Sequence, residues 1–380
     1  MGLAEFRATV REWLSDNLSG EFTDLRGRGG PGREHESFGR RLAWDRHLAA
    51  AGWTCLGWPA EHGGADLDLA HQVAFHEEYA RARGPARVSH LGEELLGPTL
   101  IALGTPAQRA RFLPPIRAVG ELWCQGWSEP EAGSDLASVT TAARRDGDEW
   151  VIDGQKVWTS LAHVAQWCFV LARTTPGSRR HAGLSYLLVP LDQPGVTVRP
   201  ITQLTGGAEF NEVFFDGART AADLVVGEPG DGWRVARRTL GFERGVSTLG
   251  LQVGFRHELD ALVDLARSTG AADDPLLRHR LARAALDLDV LRSHALRTLG
   301  GTGPESSVTK LLWATWHRAF GDLAMDVLGT AGLLTADDGP TDWQRLYLFS
   351  RADTIYGGAN EIQRNVIAER ILRLPREVIG

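Results

Sequence analysis

Apolar residues recur at helical spacing at both ends of the chain and in short strand-like runs in the middle. Near the N-terminus, Leu3, Phe6, Val10, Trp13 and Leu14 mark one face of a helix. Residues 42–51 and 70–82 predict further helices, with a turn-rich WPAEHGG loop at 58–64 between them. The segment GRGGPGREHE, from Gly27, reads as a flexible connector. After residue 121 the pattern changes. EWVIDGQKVWTS predicts two short strands hinged at Asp153-Gly154, a hairpin signal. QWCFVLART, LSYLLVPL, VTVRPI and NEVFFD add strands between Gly and Pro clusters, which predicts a small barrel or sandwich. From Asp231 onward GWRVARRTLGFER, HELDALVDLAR, LLRHRLARAALDLDVLRSHALRTL and residues 310–328 return to helical spacing, broken by GGTGPESS. No internal repeat is visible.

At 380 residues, 43% of them hydrophobic, the chain can bury a large core and form several domains. No apolar run approaches the ~18 residues of a membrane span, and the N-terminal helix carries charges throughout, unlike a secretory signal. The net charge of −7 and scattered basic residues argue against nucleic acid as a partner. Almost all positive charge is arginine; the lysines are Lys156 and Lys310, a bias read as GC-rich coding. Cys55, Cys124 and Cys168 lack metal-ligand spacing and predict buried, reduced thiols of a cytoplasmic protein, with no metal site. HEEYA is not a zinc motif, and no nucleophile elbow, P-loop or dinucleotide fingerprint is present.

Three segments could carry chemistry. QGWSEPEAGSDLASV (125–139) places hydroxyls and free amides on a tight loop suited to a polar heterocycle, or is a plain surface loop. GQKVWTS (154–160) sets Trp158 beside hydroxyls, suiting a flat ring with polar edges, or simply the core of the hairpin. In DTIYGGANEIQRNVIAERIL (353–372) two glycines allow close backbone approach to a ligand. Asn360, with Gln363 three residues on, reads there as the N-cap of a capping box. A fourth feature, Glu243-Arg244, is either a solvated charge pair or, between Leu240, Phe242 and Val246, a buried carboxylate with its pKa raised towards a general base.

Together these segments resemble the signatures of acyl-CoA dehydrogenases, over essentially the whole chain. The resemblance implies a multi-domain α+β fold. It has an N-terminal α-helical domain (1–121), a middle β-barrel or sandwich domain (122–228) and a C-terminal four-helix bundle (229–380). It implies FAD between the β-domain and the C-terminal helices. The cofactor would meet Gln125, Trp127, Ser128, Trp158, Ser160, Tyr356, Ala359 and Glu361, with Trp127 and Ser128 facing the flavin ring. Arg267, Asp326 and Gly329 fall where relatives reach a neighbouring subunit's FAD. The thioester substrate would meet Ser134, Asp135, Tyr356, Gly357, Gly358 and Arg364.

Departures from the family pattern sharpen the expectation. Many relatives carry their catalytic glutamate directly after the tyrosine of the YGG loop, and here that position is Gly357. Others use a glutamate before an arginine much earlier in the chain, which Glu243-Arg244 matches. By resemblance, then, Glu243 is the base, Arg244 its neighbour, and Gly357 contributes a backbone amide. Ala359 replaces a usual flavin-contacting hydroxyl residue, and the Arg-x-x-Phe-Gly element that reaches a neighbouring FAD is missing. The implied activity is α,β-dehydrogenation of an acyl-CoA, with electron-transferring flavoprotein as acceptor, in a homotetramer or homodimer. Readings left open are a flavin oxidase or monooxygenase, a non-catalytic subunit of a heteromer, and an acyl carrier protein thioester as substrate.

Overall fold

The structure is a computed structural model and describes residues 1–243, 247–298, 305–335 and 339–375, with backbone alone at 243 and 247–249. The first helix, α1 (Leu3–Asn17), buries Phe6, Val10 and Leu14. These pack on Trp44 and Leu48 of α2 (Phe38–Ala50) and on Ala74 and Phe75 of α3 (Leu69–Arg81). A π-helical turn at Leu91–Leu96 leads into α4 (Gly97–Leu103) and α5 (Pro106–Arg117). Thr105 and Gln108 form a reciprocal capping box at the start of α5, satisfying two helix-end amides.

The middle of the chain forms β1 (Trp123–Gly126), β2 (Ala142–Asp146), β3 (Glu149–Ser160), β4 (Trp167–Arg173), β5 (Leu184–Pro190), β6 (Val196–Ile201), β7 (Phe210–Ala221) and β8 (Val225–Val226). Their order in the sheet is β6-β7-β3-β2-β4-β5-β8, with β1 added parallel to β4. The predicted hairpin at Asp153-Gly154 is not there. β3 runs straight through it, with a bulge against β7 between Ile152 and Asp153. The hairpin turn lies earlier, at Gly147, where φ is +60° and β2 folds onto β3. Gly154 serves a different need: a Cβ there would sit 2.5 Å from Thr141 Oγ1.

Why β4 and β5 read as unbroken apolar runs is now plain: both of their faces are buried. Cys168, Val170, Ala172, Leu187 and Val189 face Ile152, Val213 and Phe215 inside the β-domain. Their alternates Phe169, Leu171, Leu184, Tyr186 and Leu188 join Leu95, Leu96, Phe112, Val235 and Ala236 in a core shared with helices.

That second core includes α6 (Gly232–Glu243). Beyond it, α7 (Ser247–Thr269), α8 (Pro275–Thr298), α9 (Ser306–Leu328) and α10 (Asp342–Asp353) pack around Phe255, Leu259, Leu288, Trp316, Phe320 and Leu323, as expected of a four-helix bundle. The last elements among the described residues are α11 (Asn360–Val366) and a π-helical turn at Ile367–Ile371. Buried Glu77 of α3 pairs with Arg7 of α1 and Arg292 of α8, tying the first helices to the bundle. Among the described residues no helix is long and apolar enough to cross a membrane.

The Gly27 segment is not a loose connector. Gly29, Gly30 and Gly32 are buried. The amides of Gly32 and Glu34 donate to the carboxylate of Glu209, at 3.1 and 3.3 Å, and Arg41 binds Glu34 at 2.7 Å. Gly32 also fits against Phe349 of α10, whose ring a Cβ would meet at 3.0 Å. The segment is therefore wedged between the start of β7 and the bundle. Burial pushes Glu209 up to about 7, against the pull of the Gly32 amide. Unfolded, this carboxyl would lose its proton near 4.5; folded, near 7. The unfolded state then binds fewer protons between those values, and stability falls as pH rises through that window. Glu209→Gln should abolish this slope. Melting temperatures of wild type and variant that run parallel from pH 4.5 to 7 would refute the assignment.

Candidate functional site

Lys156 organises the loop after β1. Its ammonium is fully buried and donates to Trp127 O at 3.1 Å, Glu129 Oε1 at 2.8 Å and Leu171 O at 2.7 Å. Glu129 in turn accepts from the amides of Thr140 and Thr141, at 2.6 and 2.9 Å, and from the Thr140 hydroxyl. Both ends of the Ser-Glu-Pro loop are thus pinned to one carboxylate, and that carboxylate to β3. Burial would raise Glu129, but the charge and hydrogen bond of Lys156 outweigh it and hold the carboxyl at about 2. Burial pulls Lys156 itself below the usual lysine range, and Glu129 opposes that pull.

The clamp brings the first two motifs together. Val157 N donates to Ser128 O at 2.9 Å, so 127–128 and 157–160 lie side by side. Here β3 bulges again, between Lys156 and Thr159, and Trp158 takes φ +59°. A bulky residue in the left-handed region is uncommon and strained. It leaves the indole 58% exposed, edge-on to Phe210 at 6.2 Å. Trp158 is therefore no core residue. Ser160 and Gln125 are half-buried nearby on the same sheet. Trp127 is different: its indole is buried against Phe169 and Tyr186, both at 6.3 Å. Only its main chain is left to face a ligand. Ser134 and Asp135 are exposed at the far end of the loop, where Asp135 accepts from the Ser138 hydroxyl.

The third motif lies against α9. Tyr356 is partly exposed, with its hydroxyl donating to Asp353 Oδ1 at 2.6 Å. Gly357 and Gly358 follow with φ +61° and +86°. Their carbonyls both accept from Gln363 Nε2 at 3.1 Å. Among the described residues, no acceptor meets the Gly357 amide. The expected capping box is not formed. Ala359, which has no side chain to cap with, is the N-cap of α11, and Asn360 instead reaches Thr315 at 3.2 Å while Gln363 folds back onto the glycines. The box would need Asn360 outside the helix, yet its amide already bonds Thr354 O at 2.9 Å. Glu361 and Arg364 pair with each other on the exposed face, at 3.2 Å. The Gly32 wedge connects this motif to the β-domain, touching Phe349, whose ring is 6.4 Å from Tyr356.

The remaining expected residues lie on α6, α7 and α9. Arg267 pairs with Asp264 on the exposed side of α7, and Asp326 with Arg280 at 2.7 Å. Gly329 ends α9 with φ +57°. Glu243 ends α6, flanked by half-buried Leu240 and Phe242 and exposed Gly241. Its side chain, and all of Arg244, lie outside the described residues. No group of three or more metal-binding side chains occurs among the described residues, and all three cysteines are buried and free.

Sequence reading missed Lys156, Glu129 and Asp353. A signal was available: the two lysines of an arginine-rich chain are both buried, Lys310 bonding the Asp353 carbonyl beside Tyr356. A compact ammonium converges on three acceptors where a planar guanidinium cannot.

Comparison with known proteins agrees with this architecture. Family models match in succession: acyl-CoA dehydrogenase N-terminal domain at residues 3–119, middle domain at 124–218 and C-terminal domain at 230–372. Acyl-CoA dehydrogenase IpdE1 of Mycobacterium tuberculosis is 69% identical over 380 residues, covering 99% of each chain. The human mitochondrial short-chain specific acyl-CoA dehydrogenase is 30% identical, covering 86% of this chain and 82% of its own. Among solved structures, the Tcur3481-Tcur3483 steroid ACAD matches with TM-score 0.85 at 30% identity, covering 99% of this chain and 98% of that one. The ChsE4-ChsE5 complex from Mycobacterium tuberculosis matches with TM-score 0.82 at 28% identity, with the same coverage.

Removing the ammonium isolates a buried carboxylate. Lys156→Met should cost about 3–5 kcal/mol of stability in denaturant titrations near neutral pH, the range for breaking a buried pair. Lys156→Arg should not restore it. Because Glu129 is depressed, the clamp's contribution is complete above about pH 4.5 and fades as pH falls towards 2. A Lys156→Met chain as stable as wild type would show that the ammonium does not hold the loop.

Proposed function

The chain belongs to the acyl-CoA dehydrogenase family, and on that premise we propose that Glu243 removes the α-proton of an acyl-CoA thioester while the Gly357 amide binds the thioester carbonyl. The observation that carries the proposal is the Tyr356–Gly358 turn. It has an amide with no acceptor among the described residues, and no carboxylate at the position where many relatives hold theirs. An oxyanion donor has been kept and the usual base removed.

FAD fits the surfaces at hand. The exposed indole of Trp158, held at a bulge in left-handed backbone beside the main chain of Ser128, offers an aromatic face and polar edges. Trp158, Ser160, Ser128 and the main chain of Trp127 would hold the flavin. When bound, FAD supplies the acceptor for the hydrogen leaving the β-carbon. The chain's own residues do the rest. Glu243 takes the α-proton at its carboxylate, and the Gly357 N–H stabilises negative charge growing on the carbonyl oxygen. Ser134 and Asp135 lie on the exposed arm of the loop, where they would meet the coenzyme A portion.

The missing side chain at 357 leaves room beside the reacting carbons, so we assign a bulky acyl group. The steroid ACAD among the neighbours supports this by its name. The ChsE4-ChsE5 complex likewise supports assembly with a second, different chain, in keeping with the absent Arg-x-x-Phe-Gly element. Electron-transferring flavoprotein is the proposed electron acceptor.

Glu243→Gln should retain FAD yet lose ~10²–10⁴-fold in the rate of anaerobic flavin bleaching by acyl-CoA, the share typical of a positioned base. A rate near wild type would remove Glu243 from the mechanism.

A further inference from the structure

A polar chain, with buried Asp353 at its centre, runs from the middle of α7 to the catalytic turn. His317, on α9, bonds Asp353 Oδ2 through Nδ1 at 2.6 Å and Glu258 Oε2 of α7 through Nε2 at 3.1 Å. Asp353, 1% exposed at the end of α10, uses its other oxygen to accept from the Tyr356 hydroxyl. Its carbonyl is held by Lys310, whose ammonium lies 4.2 Å from the Trp313 ring and 4.8 Å from the Tyr356 ring. The imidazole also lies 4.6 Å from the Phe255 ring and 6.2 Å from that of Trp316.

The catalytic turn needs such an anchor. Two successive glycines with positive φ give 357–358 little stiffness of their own. Gln363 holds the carbonyls of the two glycines, and the Tyr356 hydroxyl anchors the residue just before them, whose peptide carries the Gly357 amide. A buried aspartate can hold that tyrosine only if its own orientation is settled. His317 settles it through the bond to Oδ2. Burial alone would lower the imidazole's pKa, but its bonds to Asp353 and Glu258 lift it to about 10, so it is a cation at neutral pH.

We propose that His317 is a positioning residue for the dehydrogenation: braced by Glu258, it fixes the Asp353 carboxylate that anchors Tyr356 and so aims the Gly357 amide. The inference rests on the assignment of that amide to the thioester carbonyl.

The test uses the FAD-loaded full chain and the variants His317→Gln, Tyr356→Phe and their double. Hydrogen exchange of residues 354–360 needs no substrate. It should rise roughly tenfold in each single variant and no further in the double, with α7 and α9 still protected, as expected for one linked unit. With whichever of a panel of straight-chain and polycyclic acyl-CoAs bleaches the wild-type flavin, the saturated rate should fall roughly tenfold or more while KM moves less than about threefold. Unchanged exchange in Tyr356→Phe, effects that multiply in the double, or exchange rising throughout α7 and α9 would overturn the proposal. If His317→Gln does not fold, Glu258→Gln, at the half-exposed far end of the chain, takes its place in the same cycle. A slow Glu243→Gln beside a Tyr356→Phe at full rate sinks this inference alone. A fast Glu243→Gln sinks the base assignment and leaves the exchange result standing.

Discussion

A single ammonium group, that of Lys156, decides where the Ser-Glu-Pro loop of the β-domain goes. Desolvating a charge of this size is tolerable only if every proton finds an acceptor and a countercharge lies within reach. Trp127 O, Leu171 O and Glu129 meet that condition, and they come from two separate stretches of chain, the loop after β1 and strand β4. The loop cannot shift without stranding the charge. The bulge that pushes Trp158 outwards begins at Lys156 itself, so the exposed ring and the loop beside it share one fixed point.

A similar logic recurs on the helical side. Glu209 gathers the amides of a glycine-rich segment, and Asp353 gathers a tyrosine and a histidine. In each place a carboxylate with little water around it sets the path of backbone that has few side chains to guide it. Glycine gives the chain access to close quarters, and the buried carboxyl group then removes the freedom that glycine brought.

The helices and the order helix–strand–helix were legible in the sequence because they depend on local periodicity. Phe6, Val10 and Leu14 of the N-terminal face are buried, although Leu3 is exposed, and α7 to α9 bury Leu259, Leu288 and Phe320 from their periodic positions while Leu286 and Val290 face outwards. What was illegible depends on partners far along the chain. Asp153-Gly154 has the composition of a turn, yet Thr141 and β7 hold it as a bulge in a long strand. GRGGPGREHE has the composition of a linker, yet Glu209, about 175 residues away, binds its amides. The chemical motifs could be found from their spacing, but not the direction of each side chain: Trp127 turns inwards while Trp158 turns out. The lysine bias looked like codon usage, and it marked two anchors.

The unbroken apolar runs of β4 and β5 have a consequence for biogenesis. Their outward residues are covered partly by α4 and α5, already synthesised, and partly by α6, which is made later. A nascent chain paused near residue 228 would therefore display Tyr186, Leu184 and Val226 without their final lid. Such a surface is an invitation to aggregation or to chaperone capture. Excising the β-region as an autonomous fragment would create the same sticky face permanently, so family-model limits along the chain are poor places to cut for expression.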